Sequence, residues 1–119
     1  MTEFASHDLD IALTTYANWY QKKYNGQWPA EMCFRRELTF ERGSKFMRVV
    51  SVDYSTSGSQ ASRSAYAFIA LHDFQEPGKC QFRRGDILKP ASWKAPAKNF
   101  PRGNVLRPAT YVTHSVYGL

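Results

Sequence analysis

The sequence predicts an α+β domain: one N-terminal helix packed on a small antiparallel sheet of three to five strands, then a basic, proline-rich C-terminal segment. Three observations predict it. Apolar residues recur at helical spacing only near the start of the chain. After residue 33 the spacing changes to alternation. From residue 89 both patterns give way to prolines and cations.

Residues 1–7 are expected to form a short flexible arm. Leu9, Leu13, Tyr16, Tyr20 and Tyr24 then mark one face of a helix over 8–24. Ser6 or Asp8 can cap it, Asp8 and Asp10 suit the positive end of its dipole, and Lys22 and Lys23 suit the other end. Asn25-Gly26 supplies a left-handed stop. The tyrosines and Trp19 fit core and rim packing; a base-stacking platform is the sharper alternative.

Residues 27–33, QWPAEMC, read as a connector. Over 34–41, Phe34, Arg36, Leu38 and Phe40 alternate with Arg35, Glu37, Thr39 and Glu41, a half-buried strand with Arg36 as the flaw in its apolar face. A turn at Arg42-Gly43-Ser44 leads to a second alternating run over 45–54, so the two form a hairpin. The run 55-STSGSQASRS-64 has no large apolar group and is expected to be a mobile loop. The run 65-AYAFIALHDF-74 is nearly all apolar and predicts a central strand. Glu76-Pro77-Gly78-Lys79 is a turn, and a fourth strand is drawn from 80–82 or 86–89, with Gly85 allowing a bend. Alternation resumes over 109-ATYVTHSVYGL-119, which allows a final edge strand.

A chain of 119 residues makes one domain with a modest core, and 43% hydrophobic content with 15% aromatics excludes global disorder. No run of 18 apolar residues exists, so no membrane partner is expected. The opening MTEFASHDLD carries acids where a secretion signal carries lysines, which points to a cytoplasm. In that compartment Cys33 and Cys80, without CxxC or CxxH spacing, are expected to be free thiols.

Little in the chain points to catalysis. His7, His72 and His114 form no HExxH or Cys/His cluster, the serines no GxSxG elbow, and the glycines no phosphate-binding loop. Acids are scattered singly. No enzyme, metal or cofactor is expected. Arg84-Gly85-Asp86 matches the RGD tripeptide by chance, and Gly85 has a simpler use as a turn residue.

Charge is the informative asymmetry. The formal net charge is +6; residues 1–78 hold eight Lys/Arg and nine Asp/Glu, whereas residues 79–107 hold eight Lys/Arg against Asp86 alone. Such a concentrated positive field attracts polyanions or acidic protein faces, unless it is only a solvated surface. Within 89–108, prolines 90, 96, 101 and 108 hold the backbone extended between cations at 89, 94, 98, 102 and 107. An extended chain can track a phosphate backbone, and Trp93 and Phe100 can stack on unpaired bases. Arg102-Gly103 lets a guanidinium approach closely. The candidate contacts are Arg83, Arg84, Lys89, Trp93, Lys94, Lys98, Phe100, Arg102 and Arg107. The bland reading pins Trp93 and Phe100 to the sheet as staples, with the lysines in water.

The run 85-GDILKPASWKAPAKNFPRGNV-105, with 66-YAFI-69 before it, resembles the C-terminal part of a family of small uncharacterised bacteriophage proteins. The shared positions are Gly85, Asp86, Ile87, Leu88, Lys89, Ser92, Trp93, Lys94, Pro96, Ala97, Lys98, Arg102, Gly103 and Asn104, and the match covers about a third of the chain. Residues 74–84 and the interposed Phe100-Pro101 are longer than the usual pattern. The resemblance implies a phage origin and expression in the cytoplasm of a bacterial host. The expected function is a small phage accessory protein that binds nucleic acid, single-stranded in preference. The alternative is a phage protein–protein module that engages an acidic host protein, or a minor virion component.

Overall fold

The computed structural model describes residues 2–26, 35–54, 60–115 and 119. The connector 27–33, Cys33 and the first half of the serine-rich run (55–59) fall outside the described residues.

Helix α1 spans Thr2–Asn25. It starts well before residue 8: nothing in TEFASH breaks a helix, so the expected arm is helical and Ser6 and Asp8 lie inside the helix rather than at its cap. The strands are β1 (Arg36–Arg42), β2 (Phe46–Tyr54), β3 (Gln60–Ala70), β4 (Phe74–Gln75), β5 (Gln81–Phe82), β6 (Asp86–Leu88) and β7 (Gly103–Asn104). One antiparallel sheet runs β1-β2-β3-β6-β7, and β4 and β5 form a separate two-stranded ribbon. The α+β class therefore holds, with five strands in the main sheet.

Three elements depart from expectation. β3 begins at Gln60, inside the expected loop. Its small polar residues find partners on β2: Ser64 Oγ lies 2.9 Å from Ser51 Oγ, and Ser62 Oγ donates to Asp53 Oδ2 at 3.2 Å. Hydrogen bonding substitutes there for apolar burial. The proline-rich segment supplies its own strand, β7, which pairs with β6. Finally, the expected edge strand over 109–119 is replaced in the described residues by a 3-10 turn at Pro108–Thr110 and further turns. Tyr111 is fully buried and meets Tyr16 edge-on at 4.8 Å, so one large anchor rather than a strand ladder holds the C-terminus.

The sheet is covered on both faces. Leu9, Leu13, Tyr16, Tyr20 and Tyr24 of α1 bury against Met47, Val49, Ile69 and Ile87, and Val105 and Tyr111 join them. The predicted tyrosine face is thus core, and Trp19 packs at its rim. On the opposite face Phe68, Ala70, Phe82 and Leu88 bury with Phe46 and Phe74. Arg36, the flaw in the apolar face of β1, is matched across the hairpin by Asp53: Nη2 donates to Oδ2 at 3.0 Å, and the guanidinium lies over the Tyr24 ring.

Candidate nucleic-acid interface

The basic segment is organised by one buried carboxylate. Asp86 is only 7% exposed. Its Oδ2 accepts the Arg83 backbone N–H at 2.8 Å, and its Oδ1 accepts Asn104 Nδ2 at 2.9 Å. Asn104 Nδ2 also donates to the Arg84 carbonyl, and its Oδ1 accepts the Leu106 N–H at 2.8 Å. Between them Gly85 takes φ +90, where a side chain is strained and where a Cβ would sit 2.7 Å from Asn104 Oδ1. The 83–86 turn is thereby tied to the 103–107 strand and turn. The Arg-Gly-Asp tripeptide is a structural corner whose acid faces inward.

This tie brings four cations together. Arg83, Arg84, Arg102 and Arg107 line one groove of about 420 Å³ beside the β6–β7 edge, with Pro101, Gly103 and Thr110 in its wall. Asp86 lines it as well, with both oxygens already engaged. Arg83 and Arg107 are exposed, and Arg84 and Arg102 half-buried. Next to the groove stands Phe100, 50% exposed, with the Arg102 guanidinium over its ring at 4.3 Å. Phe100, Pro101, Arg102, His114 and Ser115 outline a second cleft, so Arg102 lines both. Burial, opposed by a backbone hydrogen bond with Arg102 and helped by the charges of Lys23 and Arg102, holds His114 below the usual histidine range.

The other candidate residues lie elsewhere. Residues 89–97 fold back on themselves instead of running extended: Ala97 N–H donates to the Lys89 carbonyl at 2.7 Å, and the Ala91 and Ser92 N–H groups both reach the Ala95 carbonyl. Proline fixes φ but not the path of the chain, and the Lys89–Ala97 bond closes a loop. At its tip Trp93 is locked on the sheet face opposite α1. The Arg48 guanidinium lies 4.2 Å from the Trp93 ring centroid and that of Arg63 5.3 Å. Glu41 binds both arginines, and Arg48 Nη1 also donates to the Trp93 carbonyl at 3.1 Å. Lys94 borders a hollow with Glu41, Arg42 and Lys45, whereas Lys98 stands 3.9 Å from Glu76 and over the Phe46 ring. Lys89 is exposed at the root of the loop. Of the nine predicted residues, five thus cluster (Arg83, Arg84, Phe100, Arg102, Arg107), while Lys89, Trp93 and Lys94 belong to the 89–97 loop and Lys98 stands apart beside Glu76.

Sequence reasoning missed the Glu41–Arg48–Arg63 clamp and the place of His114. Neither carries a local signal, because their partners are distant in the chain. Among the described residues, no group of three His, Cys, Asp or Glu could hold a metal ion, and no helix is long and apolar enough to cross a membrane.

A family model matches residues 5–112. The chain belongs to DUF7717, a family of unknown function. The DUF7717 match takes in the sheet, the Trp93 loop and all four groove arginines, and it ends before His114. No curated protein and no solved structure matches the chain.

Proposed function

We propose that this DUF7717 protein is a small phage accessory protein that binds single-stranded nucleic acid through the four-arginine groove and the Phe100 ring. The phage setting, and with it the cytoplasm of a bacterial host, rests on the sequence resemblance of residues 85–105. The observation that carries the binding reading is the convergence of Arg83, Arg84, Arg102 and Arg107 on one groove with an exposed aromatic ring beside it. Guanidinium groups recognise phosphate oxygens through charge-assisted, paired hydrogen bonds. An exposed ring next to them offers a stacking face that an unpaired base can use and a paired base cannot. Trp93, committed to Arg48 and Arg63, serves as a staple.

The test is a fluorescence-anisotropy titration of a labelled single-stranded oligonucleotide, with the same sequence as duplex DNA and as RNA alongside. Single strands are expected to bind more tightly than duplex, and Phe100→Ala is expected to erase that preference. Failure of any nucleic acid to bind at low salt overturns the proposal.

A specific observation favours a second reading. Ile11 is 54% exposed and Leu106 37% exposed, and both line a hollow with Val105, Pro108 and Arg84. The hollow is also lined by Asp8, so its charge is mixed; its exposed apolar residues suit a host-protein face, which the basic segment beside it would select as acidic, and such a partner would co-purify after nuclease treatment.

A further inference from the structure

The groove and the Phe100 face differ in what they ask of a strand. Four arginines line the groove of about 420 Å³ against one carboxylate, and that carboxylate is already hydrogen-bonded to Asn104 and to the Arg83 N–H. An internal phosphodiester brings one negative charge into this space, and both of its ester chains must leave it again. A terminal phosphomonoester brings a charge of about −1.5 to −2 at pH 7 and three acceptor oxygens. Only one chain then has to leave. The exit is marked: Arg102 lines the groove and also covers Phe100, whose ring borders the adjoining cleft. A phosphate seated in the groove places the first sugar near Arg102 and the first base at the Phe100 face. The backbone beneath is closely packed. A Cβ at Gly103 would sit 2.8 Å from the Thr110 carbonyl, and Thr110 Oγ1 is occupied by the Asn104 N–H at 2.8 Å.

We propose that the groove is an end-recognition site: it seats the terminal phosphomonoester of a single-stranded nucleic acid, with the terminal base on Phe100. The inference rests on the nucleic-acid reading above and deepens it. It predicts that the protein distinguishes strand ends by their phosphorylation and that closed circular strands compete poorly.

The experiment compares one short single-stranded oligonucleotide in three forms: phosphorylated at the 5′ end, phosphorylated at the 3′ end, and with hydroxyls at both ends. Affinities are measured on the full chain at fixed salt. One phosphorylated form is expected to bind at least about tenfold more tightly than the hydroxyl form, the scale of one added charge-assisted contact. The exposed pair Arg83→Gln and Arg107→Gln, made together, is expected to bring that ratio to about one while leaving binding of the hydroxyl form reduced but measurable. Circular dichroism and the unfolding midpoint confirm that the variant folds. Equal binding of all three forms overturns end recognition and leaves the nucleic-acid reading standing. No binding of any form overturns both. A phosphate preference that survives the double substitution overturns the placement of the site in this groove.

Discussion

The Arg102 guanidinium lies over the Phe100 ring, 4.3 Å from its centroid, while the same side chain lines the four-arginine groove. A charged surface and a stacking surface are joined in one residue. Because the Phe100 ring is half exposed, its packing contribution is small. Phe100→Ala is expected to weaken single-strand binding by about 1–3 kcal/mol. Its urea midpoint should stay within experimental error of wild type, as measured by anisotropy and urea unfolding of the same preparation.

Trp93→Ala is expected to show the opposite pattern. The indole, 37% exposed, holds the 89–97 loop against Arg48 and Arg63, so its loss removes two cation–π contacts and the packing of the ring's covered part. Stability should fall by about 1–3 kcal/mol, the sum of contacts of this kind. Binding should persist under conditions where the variant is folded. A large loss of binding with unchanged stability would assign Trp93 to the interface after all.

Gly85 sits at the corner that assembles the groove. With φ at +90 and Asn104 Oδ1 2.7 Å from the site of an added Cβ, Gly85→Ala strains the backbone and displaces the Asn104 amide. The expected cost is about 1–3 kcal/mol. The loss of affinity should match that of an arginine substitution, because the groove wall moves. Equal stability of the variant in urea would contradict the geometry of this corner.

Two carboxylates give the fold an acid limit. The hydrogen bond from Arg36 holds Asp53 below the usual carboxylate range, and bonds from Arg48 and then Arg63 do the same for Glu41. For a depressed pKa the stabilisation is present above the unfolded value, near 4, and is lost as pH falls through the lower folded value. Unfolding midpoints should therefore be flat from pH 7 to about 5 and drop below about 4. Asp53→Asn should flatten part of that drop. Glu41→Gln should do less, because its carboxylate is more exposed and screened.

Much of the fold was legible because its signals are local. The spacing from Leu9 to Tyr24 identifies the core face of α1, and the alternation around Leu38 and Phe40 identifies β1 with Arg36 as its exception. The misreadings share a cause: a residue's partner lay far along the chain. Ser62 and Ser64 look like loop residues until Asp53 and Ser51 stand opposite them. Trp93 and Phe100 look equivalent in sequence, each flanked by cations and prolines. They part only when Arg48 and Arg63 arrive from strands 45 and 30 residues away. Composition alone suggested a cationic surface here; its focus on one groove depends on Asp86 and Asn104, two polar residues whose hydrogen bonds no linear pattern announces.

In the proposed function, Arg83, Arg84, Arg102 and Arg107 together form a phosphate-binding surface. The most direct test is the salt dependence of single-strand affinity for wild type and for the Arg83→Gln, Arg107→Gln double variant. Each phosphate contact that is lost should lower the slope of log affinity against log salt by about 0.7. Wild type is expected to show a steep slope and the variant one shallower by about 1.4. Parallel slopes, or an affinity indifferent to salt, would contradict it.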